Sequence, residues 1–302
     1  MPCYSPLTGY QSRSLTDNGK RKIVFNRSHG FADKPMQVPC GQCIGCRIDR
    51  SRMWAIRCVH ESRMHDSSCF ITLTYDLEHL PADLGLHKIH LQNFFKRVRN
   101  AGHIFRYFAC GEYGDQSKRP HYHAILFGIN FASDRKKHSI TKQDHILYTS
   151  KTLSDLWGKG HALLSEFSYQ TAAYTARYVM KKQNGANAGQ HENYTRLTPD
   201  GELIQVQPEF ALMSRNPGLG SSWFAKYQKD AFPSDYLVHQ GKKHPVPRFY
   251  LDKLQVQDEK ACNKIKQKRK LARKNDPDST PQRLNDREIC KLSKIKQLQR
   301  TL

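Results

Sequence analysis

Glu112-Tyr113-Gly114-Asp115-Gln116-Ser117-Lys118-Arg119-Pro120-His121-Tyr122-His123-Ala124-Ile125-Leu126-Phe127 is the stretch on which the fold turns. The apolar run from Ala124 to Phe127 marks a strand. Side chains of a strand alternate between its faces, so His121 and His123 leave one face and Tyr122 the other. From Tyr113 to Pro120 the chain is polar and carries Gly and Pro, which predicts a hairpin loop that lays the second strand beside the first. Glu112 then returns beside the two imidazoles. Two imidazoles and a carboxylate on a rigid sheet can hold a divalent cation. A His-x-His by itself is also what a partly exposed sheet surface carries in a chain with 15 histidines.

About fifty residues later, Tyr169 to Asn184 contains neither Pro nor Gly and is followed by Gly185, which predicts a helix. Tyr174 and Tyr178 stand at i and i+4, about 6 Å apart along the axis, and Lys182 continues their face with Lys181 beside it. Two phenols can thus be offered to one ion. A phenol ionises near pH ~10, so a cation or base must help to expose its oxygen as phenolate. The same spacing also suits an aromatic stripe packed into a core, with a solvated Lys-Lys end.

Taken together, these residues resemble the HUH endonuclease superfamily, in which a His-hydrophobe-His strand binds a divalent metal and a helix carries one or two catalytic tyrosines. The YxxxYxxKK pattern resembles the rolling-circle replication initiators of the microviruses, small icosahedral single-stranded DNA phages. Phe70-Ile71-Thr72-Leu73-Thr74-Tyr75 is similar to their first motif, Gly111-Glu112 through Phe127-Gly128 to the second, and Tyr174 through Lys182 to the third. Met1-Pro2-Cys3-Tyr4-Ser5-Pro6-Leu7 and Pro39-Cys40-Gly41-Gln42-Cys43-Ile44-Gly45-Cys46-Arg47 resemble the gokushovirus branch. The likeness runs from the N-terminus to about Tyr250. It departs at Tyr122, an aromatic with a polar tip in place of an aliphatic.

The resemblance implies site-specific nicking and rejoining of origin DNA through a 5'-phosphotyrosine. Tyr174, Tyr178, Lys181 and Lys182 would be catalytic, and His121, His123 and Glu112 would hold Mg²⁺ or Mn²⁺, although two imidazoles also accept zinc. No GxxxxGK[ST] is present, so duplex unwinding is left to a host helicase, and synthesis to a host polymerase; both partners come from the resemblance. A relaxase or transposase of the same superfamily, and a noncatalytic single-stranded nucleic-acid binding protein, are the competing readings.

Composition points to nucleic acid independently. The formal net charge is +22, from 49 Lys and Arg against 27 Asp and Glu, and it is spread along the whole chain. Such a surface attracts polyanions with a salt-dependent affinity. The 14 Tyr, 14 Phe and 3 Trp interleaved with it suit stacking on unpaired bases. Arg177 on the tyrosine helix, and Lys264, Lys266, Lys268, Arg269 and Lys270 in a run where seven of eleven residues are basic, are candidate DNA contacts. With no apolar stretch of membrane-spanning length, no signal pattern and no lipidation signal, the expected setting is the host bacterial cytoplasm, away from membranes.

Nine cysteines with a CxxCxxC cluster suit thiols in a reducing compartment better than disulfides. Cys40, Cys43 and Cys46 could share a structural zinc with Cys3 as fourth ligand, Cys58 and His60 being weaker choices. A ferredoxin-like iron–sulfur run would add a Cys-Pro that is missing here. If Cys46 already opens a helix, the three thiols could instead simply pack.

Periodicity predicts an α+β fold, an antiparallel sheet flanked by helices with N-terminal and C-terminal extensions. Helices are expected over 44–64, around Leu91, Phe94, Phe95 and Val98, and over 222–230; strands are expected at 70–75, 104–110, 122–129 and 162–167. The division expected is an N-terminal extension with the Cys cluster and a helix (1–66), a nuclease core (67–185), an accessory segment packed on it (186–250), and a basic helical or flexible tail (251–302).

Overall fold

The computed structural model describes residues 3–297 except 18, 20, 115–116, 142–143, 179–193, 198–199 and 275, and only the backbone of Tyr178, Arg273 and Lys274. In chain order the elements are β1 (Leu7–Leu15), β2 (Arg21–Val24), β3 (Met36–Val38), α1 (Ile44–Ser62), β4 (Ser68–Tyr75), α2 (Lys88–Asn100), β5 (Arg106–Tyr113), β6 (Pro120–Phe127), β7 (Lys136–Ile140), β8 (Ile146–Thr149), α3 (Lys151–Trp157) and β9 (Gly160–Glu166). They continue with α4 (Tyr169–Tyr178), β10 (Thr195–Leu197), β11 (Leu203–Gln205), β12 (Phe210–Met213), α5 (Ser221–Ala231), β13 (Tyr236–His239), β14 (Lys242–Pro245), α6 (Arg248–Gln257), α7 (Glu259–Lys274) and α8 (Pro281–Gln297). The chain divides into two compact units, one of residues 1–50 with 269–300 and the other essentially 51–268.

The larger unit is built on a seven-stranded antiparallel sheet in the order β12-β5-β6-β4-β9-β8-β7. β4 shows why a sheet forms here. Its residues alternate strictly, with Cys69, Ile71, Leu73 and Tyr75 buried on one face and Phe70, Thr72 and Thr74 turned to the other. The first face meets α2, which presents Leu91, Phe94, Phe95 and Val98 at helical spacing, and α3, which buries Leu153 and Trp157. Arg97 of α2 donates to the carbonyls of Leu156 and Trp157 at 2.6 and 2.8 Å, satisfying the last turn of α3.

The opposite face carries Phe108, Ile125 and Phe127, which pack with Ala55 and Cys58 of α1 and Ala172 and Ala176 of α4. Small side chains on both helices let them approach the strands closely, and Ser51 Oγ donates to Ala173 O at 3.0 Å to tie one helix to the other. A separate core gathers Trp223, Phe224, Leu237, Val246, Tyr250, Leu254, Cys262 and Ile265 from α5, the β13–β14 hairpin, α6 and α7, together with Ile56 of α1. In that core His60 stacks on Trp223 at 3.4 Å, and its Nδ1 lies 2.9 Å from the Tyr250 hydroxyl. One glycine is indispensable to the sheet. Gly160 has φ +127, and a Cβ there would fall 2.2 Å from the Asp76 amide nitrogen, so only glycine lets β9 begin against the end of β4.

Several boundaries differ from the sequence-based expectation. β5 runs from Arg106 to Tyr113, placing Glu112 in the ladder, while Ile104 lies outside the strand and is 92% exposed. β6 begins at Pro120 and stops at Phe127, because Gly128 turns out of the strand with φ +105. The tyrosine helix is described to Tyr178 and the remainder of its expected length lies outside the described residues. Residues 210–213, inside the segment expected to be accessory, form β12 at the edge of the main sheet.

The smaller unit contains the β2-β1-β3 sheet and α8.

Candidate functional site

Register assembles the site. In the β5–β6 ladder Glu112 lies opposite His121 and Cys110 opposite His123; in the β6–β4 ladder His121 faces Thr74 and His123 faces Thr72. Cross-strand partners share a face, so Glu112, His121, His123, Thr72 and Thr74 all project towards the α4 side of the sheet. Thr74 is paired in turn with His161 on β9, which extends the polar row across four strands.

His123 is the centre of this face and is 5% exposed, as is Glu112. Its Nε2 lies 2.8 Å from Glu112 Oε1 and its Nδ1 3.0 Å from Thr72 Oγ1. A carboxylate accepts, so Nε2–H donates to Glu112, and Thr72 donates to Nδ1. Because a hydroxyl can donate or accept, Thr72 supports the other tautomer equally well, with Nδ1 protonated and Nε2 carrying the lone pair. His121 is half-buried, and its Nδ1–H donates to the Arg119 carbonyl at 2.7 Å, which leaves the lone pair on Nε2. Burial lowers the His121 pKa, and the nearby His123 and Arg119 lower it further against the pull of the Arg119 carbonyl, so the neutral ring prevails at neutral pH.

These donors fit a divalent cation. Each histidine has an outer partner for Nδ1, the arrangement that orients metal-bound imidazoles, and Glu112 adds a hard anionic oxygen. The three groups are not drawn together into a ready cluster, however. Among the described residues only Cys3, Cys40, Cys43 and Cys46 place three or more ligand atoms within 4.8 Å of one another. At the histidines, Glu112 Oε1 and His123 Nε2 are hydrogen-bonded to each other.

Tyr174 stands over this site. Its ring meets His123 edge-on with centroids 5.3 Å apart, and Phe70 in the same manner at 6.1 Å, while Phe70 and His123 stack at 5.5 Å. Arg177 is exposed, with its guanidinium 5.8 Å from the Tyr174 ring centroid. The Tyr178 backbone lies one turn further along α4; Lys181 and Lys182 lie outside the described residues. Tyr122 points to the opposite face, fully buried, where its hydroxyl accepts from His87 N at 2.8 Å and lies 2.7 Å from the Tyr75 hydroxyl. That polar pocket is the reason a tyrosine is tolerated between the two histidines.

Of the basic candidates on α7, Lys264, Lys266, Lys268 and Lys270 are exposed and Arg269 is half-buried. Sequence reasoning attached no role to Thr72, Thr74 or His161. The alternation of β4, and of Ala162 and Leu164 buried on β9, contains the signal that would have found them.

The four thiols form a separate constellation. Cys3 Sγ lies 3.6 Å from Cys40 Sγ and 3.9 Å from Cys43 Sγ, and the group could hold a metal ion. Cys46 does lie within α1, yet its sulfur remains in the group. The weaker candidates fall elsewhere, Cys58 beneath the main sheet and His60 against Trp223 and Tyr250.

Residues 68–183, from β4 to just beyond the described part of the tyrosine helix, match the family model for replication-associated protein ORF2/G2P. The chain is 35% identical over 224 residues to replication-associated protein VP4 of Bdellovibrio phage phiMH2K, covering 71% of this chain and 66% of that protein, just under two thirds of its length. It is 32% identical over 253 residues to replication-associated protein ORF2 of Spiroplasma virus 4, covering 78% and 74% respectively. With replication-associated protein ORF4 of Chlamydia phage 1 the identity is 27% over 226 residues, covering 72% and 53%. No solved structure matches the chain.

Proposed function

Because the chain belongs to the family of phage replication-associated proteins, we propose that it initiates rolling-circle replication by nicking and rejoining single-stranded origin DNA in the host cytoplasm. The observation that most supports this reading is the edge-on placement of Tyr174 against His123, itself hydrogen-bonded to Glu112, on a single face of the sheet. A phenol beside an imidazole–carboxylate pair is an arrangement for tyrosine attack on a phosphodiester.

His121, His123 and Glu112 would hold Mg²⁺ or Mn²⁺, and that ion, when bound, withdraws charge from a non-bridging phosphate oxygen and steadies the leaving oxygen. The remaining steps belong to the chain. Tyr174 Oη gives up its proton to solvent and attacks phosphorus in line; the new tyrosine O–P bond forms as the P–O3' bond breaks, and the leaving 3'-oxygen takes up a proton from solvent to become a free hydroxyl. Thr72 keeps His123 oriented, and the Arg119 carbonyl does the same for His121. Arg177 and the exposed lysines of α7 supply positive charge for the backbone. Tyr178, one turn from Tyr174 on α4, is the second nucleophile, needed because the regenerated origin must be cut while the first phosphotyrosine is still occupied. A host helicase and polymerase complete the cycle. Among the described residues no helix is long and apolar enough to cross a membrane.

The test is a covalent adduct on a denaturing gel after incubation with Mn²⁺ and single-stranded oligonucleotides tiled across the genome that encodes the chain. Tyr174→Phe and Tyr178→Phe should each retain adduct, and the double variant should form none. Failure of the wild type to form any adduct, or peptide mapping of it to Tyr113 or Tyr122, would reject the mechanism.

A further inference from the structure

The thiols outside the nicking site form a better-defined ligand set than the site itself. Tetrahedral zinc with Zn–S of about 2.3 Å requires sulfurs about 3.8 Å apart. Cys3 Sγ is 3.6 Å from Cys40 Sγ and 3.9 Å from Cys43 Sγ, and all four sulfurs lie within 4.8 Å of one another. A disulfide would bring two sulfurs to about 2.05 Å, and all four residues are free thiols.

Backbone amides already point at the sulfurs. Cys40 N donates to Cys3 Sγ at 3.2 Å, Cys43 N to Cys40 Sγ at 3.3 Å, Tyr4 N to Cys43 Sγ at 3.3 Å, and Cys46 N to Cys43 Sγ at 3.5 Å. Four thiolates around Zn²⁺ carry a net charge of −2, and N–H donors of this kind spread that charge. The turn that permits them depends on Gly41, whose φ of +77 lets Cys40 and Cys43 face the same point. Cys46 joins from the start of α1, three residues after Cys43, the spacing that puts both on one side of a helical turn.

The surroundings indicate what such an ion would do. None of the four thiols is in a packed core; all are half-buried. Among the described residues of the smaller unit, Tyr4 and Leu284 are the only buried hydrophobic side chains. A unit of this size with so little apolar burial lacks the usual source of stability, and small domains of this kind are commonly held by a structural metal.

We propose that Cys3, Cys40, Cys43 and Cys46 bind one zinc ion in a closed tetrahedral site, which fastens the segment at Cys3 to the 40–46 turn and stabilises the smaller unit. Four protein sulfurs leave no coordination position for substrate, so the ion is structural. Zinc is favoured over the hard ions of phosphoryl chemistry by the softness of the donors.

Full-length protein purified without chelator should contain about one equivalent of zinc, and Cys43→Ser should lose it while His123→Ala retains it. Exchange with Co²⁺ should give a sulfur-to-cobalt charge-transfer band and tetrahedral d–d absorption in the wild type and in His123→Ala. Titrating wild-type protein with a mercurial should release the zinc as the four cluster thiols react, beyond the uptake by the exposed Cys290, and should expose residues 3–40 to limited proteolysis; this measurement does not depend on any variant folding. Stoichiometric iron, absence of metal from a folded preparation, a cobalt spectrum without the charge-transfer band, or retention of zinc by Cys43→Ser would overturn the proposal. None of these readouts depends on nicking.

Discussion

His121 and His123 should be equivalent for chemistry but unequal for stability. His123 is buried between Phe70, stacked at 5.5 Å, and Tyr174, edge-on at 5.3 Å, with Nε2 on Glu112 and Nδ1 on Thr72. Replacing it with alanine removes two aromatic contacts, each worth about 0.5–1.5 kcal/mol. It also takes the Nε2–H donor from a buried carboxylate, costing a further ~1–3 kcal/mol. The expected loss is therefore about 2–6 kcal/mol. His121 is half-buried and makes one hydrogen bond, to the Arg119 carbonyl, which keeps a second partner in Gly114 N, so His121→Ala should cost only about 0.5–1.5 kcal/mol. Urea unfolding followed by tryptophan fluorescence gives both values from the midpoint and slope. Nicking of a labelled origin oligonucleotide with Mn²⁺ should vanish in both variants. Binding of single-stranded DNA, read by anisotropy, should stay close to wild type because the affinity comes from a net charge of +22. Equal destabilisation by the two substitutions would refute the stated geometry of His123, and nicking by either would refute the metal assignment.

Glu112→Gln keeps the size and a hydrogen-bonding oxygen but removes the charge, so half-maximal nicking should require at least about tenfold more Mn²⁺; an unchanged requirement would exclude Glu112 as a ligand. His60 supplies a pH test. Burial, with Arg63 and His239 adding to it, pushes its pKa down from 6.5 to about 3. The unfolded chain therefore takes up a proton that the folded chain refuses, and stability falls as pH drops from about 6.5 towards 3, by a total of about 5 kcal/mol for this group. His60→Gln can still hydrogen-bond the Tyr250 hydroxyl and cannot titrate, so its stability should vary less over that window. A slope as steep as that of the wild type would assign the acid sensitivity to other groups.

What could be read from the sequence alone was whatever repeats over a few residues. The alternation in Phe70 to Tyr75 and in His121 to Phe127 determined which side chains share a face, and Leu91, Phe94, Phe95 and Val98 marked a helix, because strand and helix periodicities are local properties of the backbone. The same parity sent Tyr122 away from the histidines. Tertiary structure decided what stands opposite what. Glu112 faces His121 because the β5–β6 ladder sets that register, and no local pattern distinguishes it from a slip of two residues. Tyr174 lies against His123 because Ala172 and Ala176 let α4 settle closely on Phe108, Ile125 and Phe127, a packing solution reached between segments about fifty residues apart. The entry of β12 at the sheet edge and of His161 into the polar row likewise depends on pairing between distant strands. Cys3 reaches Cys40 across 37 residues, a separation at which spacing within the CxxCxxC run carries no information and only the folded path of the chain brings the sulfurs together.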